Sequence, residues 1–61
     1  MKVREIIKII GKEGWLLNRT KGSDRQFKHQ NKNGTVTIAG HLNDELHPKT
    51  ANSILKQAGL K

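Results

Sequence analysis

A short stretch near the middle of the chain surrounds a glycine with charged and hydroxyl side chains. Gly22, Ser23 and Asp24 follow one another there, and four cations flank them: Arg19, Lys21, Arg25 and Lys28. Lysine and arginine neutralise phosphates, a glycine lets the backbone approach one closely, and a hydroxyl can hydrogen bond to one. The stretch therefore predicts a phosphate-binding site, although Gly-Ser-Asp taken alone is more typical of an ordinary hairpin turn.

The other candidates for chemistry are weaker. Ser23 has no histidine and acid arranged in sequence to make it a nucleophile. His41 and His47 have a spacing that matches no metal motif, so no metal site and no cofactor is expected. His29 is interpreted mainly as a packing or phosphate-contact residue, with substitution for a catalytic residue as the alternative.

The charge is large and unevenly placed. The 61 residues, enough for a single domain (1–61), contain 12 Lys and Arg against 5 Asp and Glu, a formal net charge of +7. The stretch from Arg19 to Lys32 contains five cations and one acid, Asp24. Clustered positive charge attracts nucleic acid by phosphate neutralisation and counterion release. We expect RNA rather than a membrane surface, because no large apolar face accompanies the basic stretch.

Cysteine usage and hydropathy exclude other classes. The chain has no cysteine, so it cannot form a disulfide framework. No apolar run approaches the ~18 residues of a membrane span, and no secretory signal is expected. These features predict a cytoplasmic protein held together by packing alone.

Two segments have the apolar spacing of amphipathic helices. In the first, residues at i, i+3, i+4 and i+7 are Val3, Ile6, Ile7 and Ile10, and Gly11 and Gly14 end the segment, the latter as a C-terminal cap. Ile9 is expected at the core margin. In the second, Pro48 opens the helix, Gly59 caps it, Leu60 folds back onto the core, and the same spacing recurs at Ala51, Ile54, Leu55 and Ala58.

Three strands are predicted between these helices. The first begins at Trp15, with Trp15 and Leu17 alternating against Leu16 and Asn18; the second covers 25–29 with Phe27 facing inward; the third covers 35–39. Residues 21–24 and the Asn-Gly pair at 33–34 supply the turns. Trp15 and Phe27 are assigned to the core rather than to base stacking.

The predicted fold is α+β, in the order α-β-β-β-α. A three-stranded antiparallel sheet has two helices on one face and leaves the other face polar and basic. That order is double-stranded-RNA-binding-domain-like.

The sequence also resembles the HicA toxins of bacterial toxin–antitoxin pairs, the YcfA-like family. Four stretches show the likeness: Lys12-Glu13-Gly14-Trp15, Lys21-Gly22-Ser23 with Arg25-Gln26-Phe27-Lys28-His29, Gly34-Thr35-Val36-Thr37-Ile38, and Ser53-Ile54-Leu55-Lys56-Gln57-Ala58-Gly59-Leu60. The resemblance implies a ribonuclease that acts on mRNA and a HicB-type antitoxin that covers the active surface. It also implies a catalytic histidine after Gly-Ser, where this chain has Asp24.

Aspartate at that position changes the chemistry. Cleaving RNA through its 2′-hydroxyl needs a group that removes a proton and a group that donates one, and histidine suits both roles near neutral pH. Aspartates, with an ordinary pKa of about 3.9, accept protons but rarely donate them at pH 7. A weakened or dead nuclease, an engineered substitution, and a subgroup with another catalytic residue all agree with this sequence.

The sequence thus supports one function and one alternative. The first is a HicA-like toxin that binds RNA and cleaves mRNA without a metal ion, with Asp24 at the catalytic position. Its expected RNA-binding residues are Arg19, Lys21, Gly22, Ser23, Arg25 and Lys28. It would be a monomer alone or a hetero-oligomer with an antitoxin. The alternative is a module that binds double-stranded RNA or a protein without cutting.

Overall fold

The computed structural model describes all residues, 1–61. The elements are α1 (Val3–Lys12), β1 (Leu16–Lys21), β2 (Asp24–Lys28), β3 (Val36–Ile38) and α2 (Pro48–Gln57). The strands form one antiparallel sheet in the order β1-β2-β3. The predicted α-β-β-β-α order is confirmed, with strand ends within about two residues of those expected.

The core lies between the two helices and one face of the sheet. Its ten buried residues come from both helices, from β2 and β3, and from the residue before β1: Val3, Ile6, Ile10, Trp15, Phe27, Val36, Ile38, Ala51, Ile54 and Ala58. Leu55 and Leu60 pack against this cluster, whereas Ile9, expected at the core margin, is 37% exposed and does not pack against it. Phe27, Val36 and Ile38 all point inward, and both helices lie on that side of the sheet. The opposite face of the sheet is therefore uncovered.

Both helices end in the same glycine-dependent cap. After α1, Gly14 has φ +97°, and the amide of Trp15 donates to the carbonyl of Ile10 at 3.2 Å. After α2, Gly59 has φ +78°, and the amide of Leu60 donates to the carbonyl of Leu55 at 2.8 Å. Left-handed backbone at these points favours glycine and supplies partners for the last helical carbonyls. The caps predicted at Gly14 and Gly59 are confirmed, whereas Gly11 lies within α1 and does not end it.

The loop between β3 and α2 holds the beginning of α1. The amides of Val3 and Arg4 donate to the carbonyls of Asp44 and Leu42, both at 3.0 Å, and Lys2 forms a bridge with Glu45. The first amides of a helix have no hydrogen-bond acceptor within the helix, and here two loop carbonyls accept from them. The sequence predicted a loop at 40–47 but not this pairing.

The burial of β1 differs from the expectation. Leu17 pairs with Phe27 across the sheet and so lies on the face of Trp15, as alternation predicted, yet Trp15 is buried and Leu17 is 55% exposed. The register of β1 against β2 shifts between Leu17 and Arg19, so that Asn18 is an extra residue with no partner. β1 is an edge strand beyond the shelter of the helices, and its bulge is a feature that alternation alone does not reveal.

Candidate nucleic-acid interface

A two-residue turn joins β1 to β2. Lys21 pairs with Asp24, and Gly22 and Ser23 form the turn between them. Gly22 has φ +60° and Ser23, like every non-glycine residue of the chain, does not have positive φ, which fits a type II′ turn with glycine at its first central position. A Cβ on Gly22 would meet nothing within 4 Å, so backbone conformation rather than space favours glycine here.

Alternation along β2 decides which side chains share the uncovered side of the sheet. Phe27 is buried, so Asp24, Gln26 and Lys28 point away from the helices. Cross-strand partners share a face, and these three pair with residues of β1. We call this set the open face: Leu16, Arg19, Lys21, Asp24, Gln26 and Lys28.

The open face is positively charged and free of ion pairs. Arg19, Lys21 and Lys28 are exposed, and none lies within 4.0 Å of a carboxylate. The one ion pair of the chain joins the N-terminal ammonium to Glu45 at 3.2 Å. Asp24 is also exposed and unpaired. The arrangement suits a phosphate chain, since three cations remain available along the face that carries one carboxylate.

Arg25 lies apart from this set. It shares the face of Phe27, is half-buried, and its Nη1 donates to the carbonyl of Gly40 at 2.8 Å. The guanidinium thereby ties β2 to the loop that holds α1. The structure brings Arg19, Lys21, Asp24 and Lys28 together, with Gly22 and Ser23 at the adjoining turn, and places Arg25 on the other side.

Two matched substitutions separate these roles. Lys28→Met and Arg25→Met each remove one positive charge, but only the second removes the hydrogen bond to Gly40. We expect Lys28→Met to weaken RNA binding and lower the salt slope by about 1 without changing stability. Arg25→Met should instead lower the free energy of unfolding by about 1–2 kcal/mol, with a smaller effect on RNA. Urea denaturation measures the change in stability, and RNA titrations at several salt concentrations measure the change in binding. A larger effect of Arg25→Met than of Lys28→Met on RNA binding would show that Arg25 contacts the RNA.

The histidine nearest the open face in sequence is held by the backbone. Nε2 of His29 lies 2.8 Å from the carbonyl of Glu13, and its Nδ1 accepts from the amide of Asn31 at 3.0 Å. Its ring meets Trp15 edge-on, with centroids 5.3 Å apart. With Nδ1 an acceptor, Nε2 is the donor to Glu13. Both nitrogens are therefore occupied, which supports the packing interpretation of His29.

The remaining histidines also lie elsewhere. His47 is the N-cap of α2, where its Nδ1 accepts from the amide of Lys49 at 3.1 Å. His41 lies in the exposed loop after β3. No three His, Asp or Glu side chains are grouped so that they could hold a metal ion, and neither helix has the length and apolar character needed to cross a membrane.

Comparison with known protein families gives a match over nearly the whole chain. Residues 3–60 match the family described as the HicA toxin of bacterial toxin–antitoxin systems. The chain belongs to the HicA toxin family. The resemblance noted from the four sequence stretches is thereby confirmed.

Comparison with solved structures agrees with this HicA assignment. The chain is similar to a chain of a toxin–antitoxin complex from Streptococcus pneumoniae, with 36% identity and a TM-score of 0.80. The likeness covers 98% of both chains. A comparison with curated protein sequences gave no significant match.

Proposed function

We propose that this HicA chain binds RNA on its open face and cleaves it slowly without a metal ion. The observation that supports this is that Arg19, Lys21 and Lys28, all free of ion pairs, lie on the same face of the sheet as the exposed carboxylate of Asp24. The three cations would hold consecutive phosphates of one strand. Asp24 would then stand beside a phosphate, at the position the family gives to its catalytic histidine.

Cleavage would proceed through the 2′-hydroxyl of the RNA. Asp24 removes its proton, the oxygen attacks phosphorus, and the bond from phosphorus to the 5′-oxygen breaks to leave a 2′,3′-cyclic phosphate. The leaving oxygen must gain a proton, and an ionised carboxylate has none to give. Water would therefore supply it, which is why we expect slow turnover. Lys21, the cross-strand partner of Asp24, would stabilise the charge on phosphorus.

The direct test is cleavage of a labelled single-stranded RNA in the presence of EDTA. We expect slow formation of products with 2′,3′-cyclic phosphate ends, and none from the same RNA carrying 2′-O-methyl groups. Lys21→Met should reduce cleavage, whereas Lys49→Met, on α2, should not. Cleavage that occurs only with a divalent cation would refute the metal-independent mechanism.

One observation favours a second function, binding without cleavage. No histidine lies on the open face, and His29 is engaged by the backbone. The chain would then clamp RNA or a protein through the same cations. In the assay above it would retain the labelled RNA in a complex and release no product at any enzyme concentration.

We further propose that an antitoxin with acidic side chains covers the open face. The similar pneumococcal chain belongs to a toxin–antitoxin complex, and the +7 charge of this chain favours an acidic partner. The complex should weaken as salt rises, because exposed charges are screened over about 10 Å at 0.1 M. Calorimetric titration of the co-expressed pair at several salt concentrations measures this. A salt-independent dissociation constant would place the antitoxin elsewhere.

A further inference from the structure

A shallow groove of about 330 Å³ opens at the end of the sheet away from the Gly22 turn. Three consecutive residues of β1 form one wall, and the end of β2 with the two residues after it forms the other: Leu16, Leu17, Asn18, Lys28, His29 and Gln30. Leu16 and Lys28 are also members of the open face. The groove is therefore continuous with the surface proposed to hold RNA.

Packing within the chain does not account for the apolar residues on one side of the groove. Leu16 and Leu17 are 64% and 55% exposed, more than any other large apolar side chain of the protein. A chain with only ten buried residues would gain stability by covering them. An exposed leucine beside a concave surface offers apolar contact to a ligand.

Two free amide side chains line the same groove. Asn18 is the extra residue of the β1 bulge, and bulges reorient side chains near functional sites. Three other amide side chains, those of Asn43, Asn52 and Gln57, bond to neighbouring side chains, whereas those of Gln26, Asn31 and Asn33 are free but lie outside the groove. The exposed amides of Asn18 and Gln30 have no partner within the chain. Each keeps both a donor and an acceptor for a ligand.

We infer that this groove binds one unpaired nucleobase of the RNA, an inference that rests on the proposed RNA-binding function. A base has an apolar face that Leu16 can cover, since Leu16 lies on the open face opposite Lys28. It also has an edge of donors and acceptors that Asn18 and Gln30 can pair with. Lys28 would hold the adjoining phosphate. An apolar protein segment could use the leucines, but it would leave the two amides unpaired.

The position of the groove gives the base a role in site selection. Lys28 lies four residues along β2 from Asp24, or about 13 Å at the usual rise of a strand. That span corresponds to a few nucleotides. The groove would thus read a base a short distance from the phosphate beside Asp24, and the chain would prefer RNAs with the matching base there.

The test uses four short single-stranded RNAs that differ only at one central base and carry 2′-O-methyl groups to prevent cleavage. Fluorescence anisotropy should show that the best base binds roughly fivefold or more tightly than the worst. Asn18→Ala and Gln30→Ala should reduce this difference to about twofold or less while overall binding persists. Leu16→Ser should weaken binding of all four RNAs.

Matched controls lie outside the groove. Asn33→Ala removes an exposed amide, and Leu42→Ser alters a leucine that is 47% exposed in the loop after β3; both should leave the base preference intact. Equal binding of the four RNAs by the unsubstituted chain, or a preference that survives both amide substitutions, would overturn the inference. In either case salt-sensitive binding would still support the proposed function. If the unsubstituted chain bound none of the four RNAs at low salt, the proposed function itself would be refuted.

Discussion

Replacing Asp24 with histidine is expected to raise the rate of RNA cleavage by about 10²-fold or more. Asp24 is exposed and free of ion pairs, so the substitution requires no repacking. An imidazole can accept the proton of the 2′-hydroxyl and, in its protonated form, supply one to the leaving oxygen. Cations at Arg19, Lys21 and Lys28 remain to hold the substrate. Initial rates on one labelled RNA, compared at equal protein concentration in EDTA, measure the gain.

The pH dependence separates catalysis from better binding. Histidine changes charge between about pH 5 and 8, so the rate of Asp24→His should pass through a maximum in that range. A gain from lost repulsion alone would appear equally in Asp24→Asn, which removes the negative charge but cannot transfer protons at neutral pH. Asp24→Asn should therefore bind RNA more tightly without cutting faster.

Position on the sheet supplies a second control. Gln26→His places an imidazole on the same open face, two residues or about 7 Å along β2. It should give far less activity than Asp24→His, since proton transfer needs hydrogen-bond reach. Equal gains from both variants would show that the position of Asp24 has no special relation to the reacting phosphate.

Local sequence signals were sufficient for most of the fold. Apolar spacing identified both helices, and Gly14 and Gly59 marked their ends because the caps require positive φ. Alternation about Phe27 assigned Gln26 and Lys28 to the uncovered side of the sheet. Each of these signals depends on residues a few positions apart, which is why one sequence reveals them.

Features that depend on distant residues were not predictable. The β2–β3 connection covers residues 29–35 rather than a tight turn at Asn33-Gly34, although Gly34 has the expected positive φ of +89°. The bulge at Asn18 leaves no mark in the sequence, and neither does the missing helix cover over β1 that leaves Leu17 55% exposed on the face of Phe27. Contacts of the loop at 40–46 with α1 likewise join residues about 40 positions apart.

The candidate site was predicted in part. Charge clustering correctly gathered Arg19, Lys21, Asp24 and Lys28, because neighbouring strands of a hairpin bring such residues together. It also included Arg25, since the sequence does not show that Gly40 would accept its hydrogen bond. The groove at Leu16 was missed entirely; two consecutive leucines in a strand that also contains charged residues were its only sequence signal.

Trp15→Ala is expected to remove most of the stability of the domain. Trp15 is 2% exposed, and its Nε1 donates to the carbonyl of Ala58 at the end of α2, at 3.1 Å. Truncating a buried tryptophan costs about 3–5 kcal/mol. A 61-residue chain has about 3–9 kcal/mol in total at the usual stability per residue. We expect the variant to be largely unfolded at 37 °C, also because His29 loses the ring it packs against.

Trp15→Phe separates the hydrogen bond from the ring. It keeps most of the buried volume but leaves Ala58 with only the ammonium of Lys32, which donates at 3.2 Å. Because that second donor remains, the carbonyl is not orphaned, and the loss should be about 1–2 kcal/mol. Unfolding in urea is followed by far-ultraviolet circular dichroism in every variant, because the Trp15 substitutions remove the one tryptophan and with it the fluorescence signal. Leu16→Ala, at an exposed apolar residue, should change stability by less than about 0.5 kcal/mol. A cost for Trp15→Ala as small as that control would mean that α2 does not depend on Trp15 for its place on the sheet.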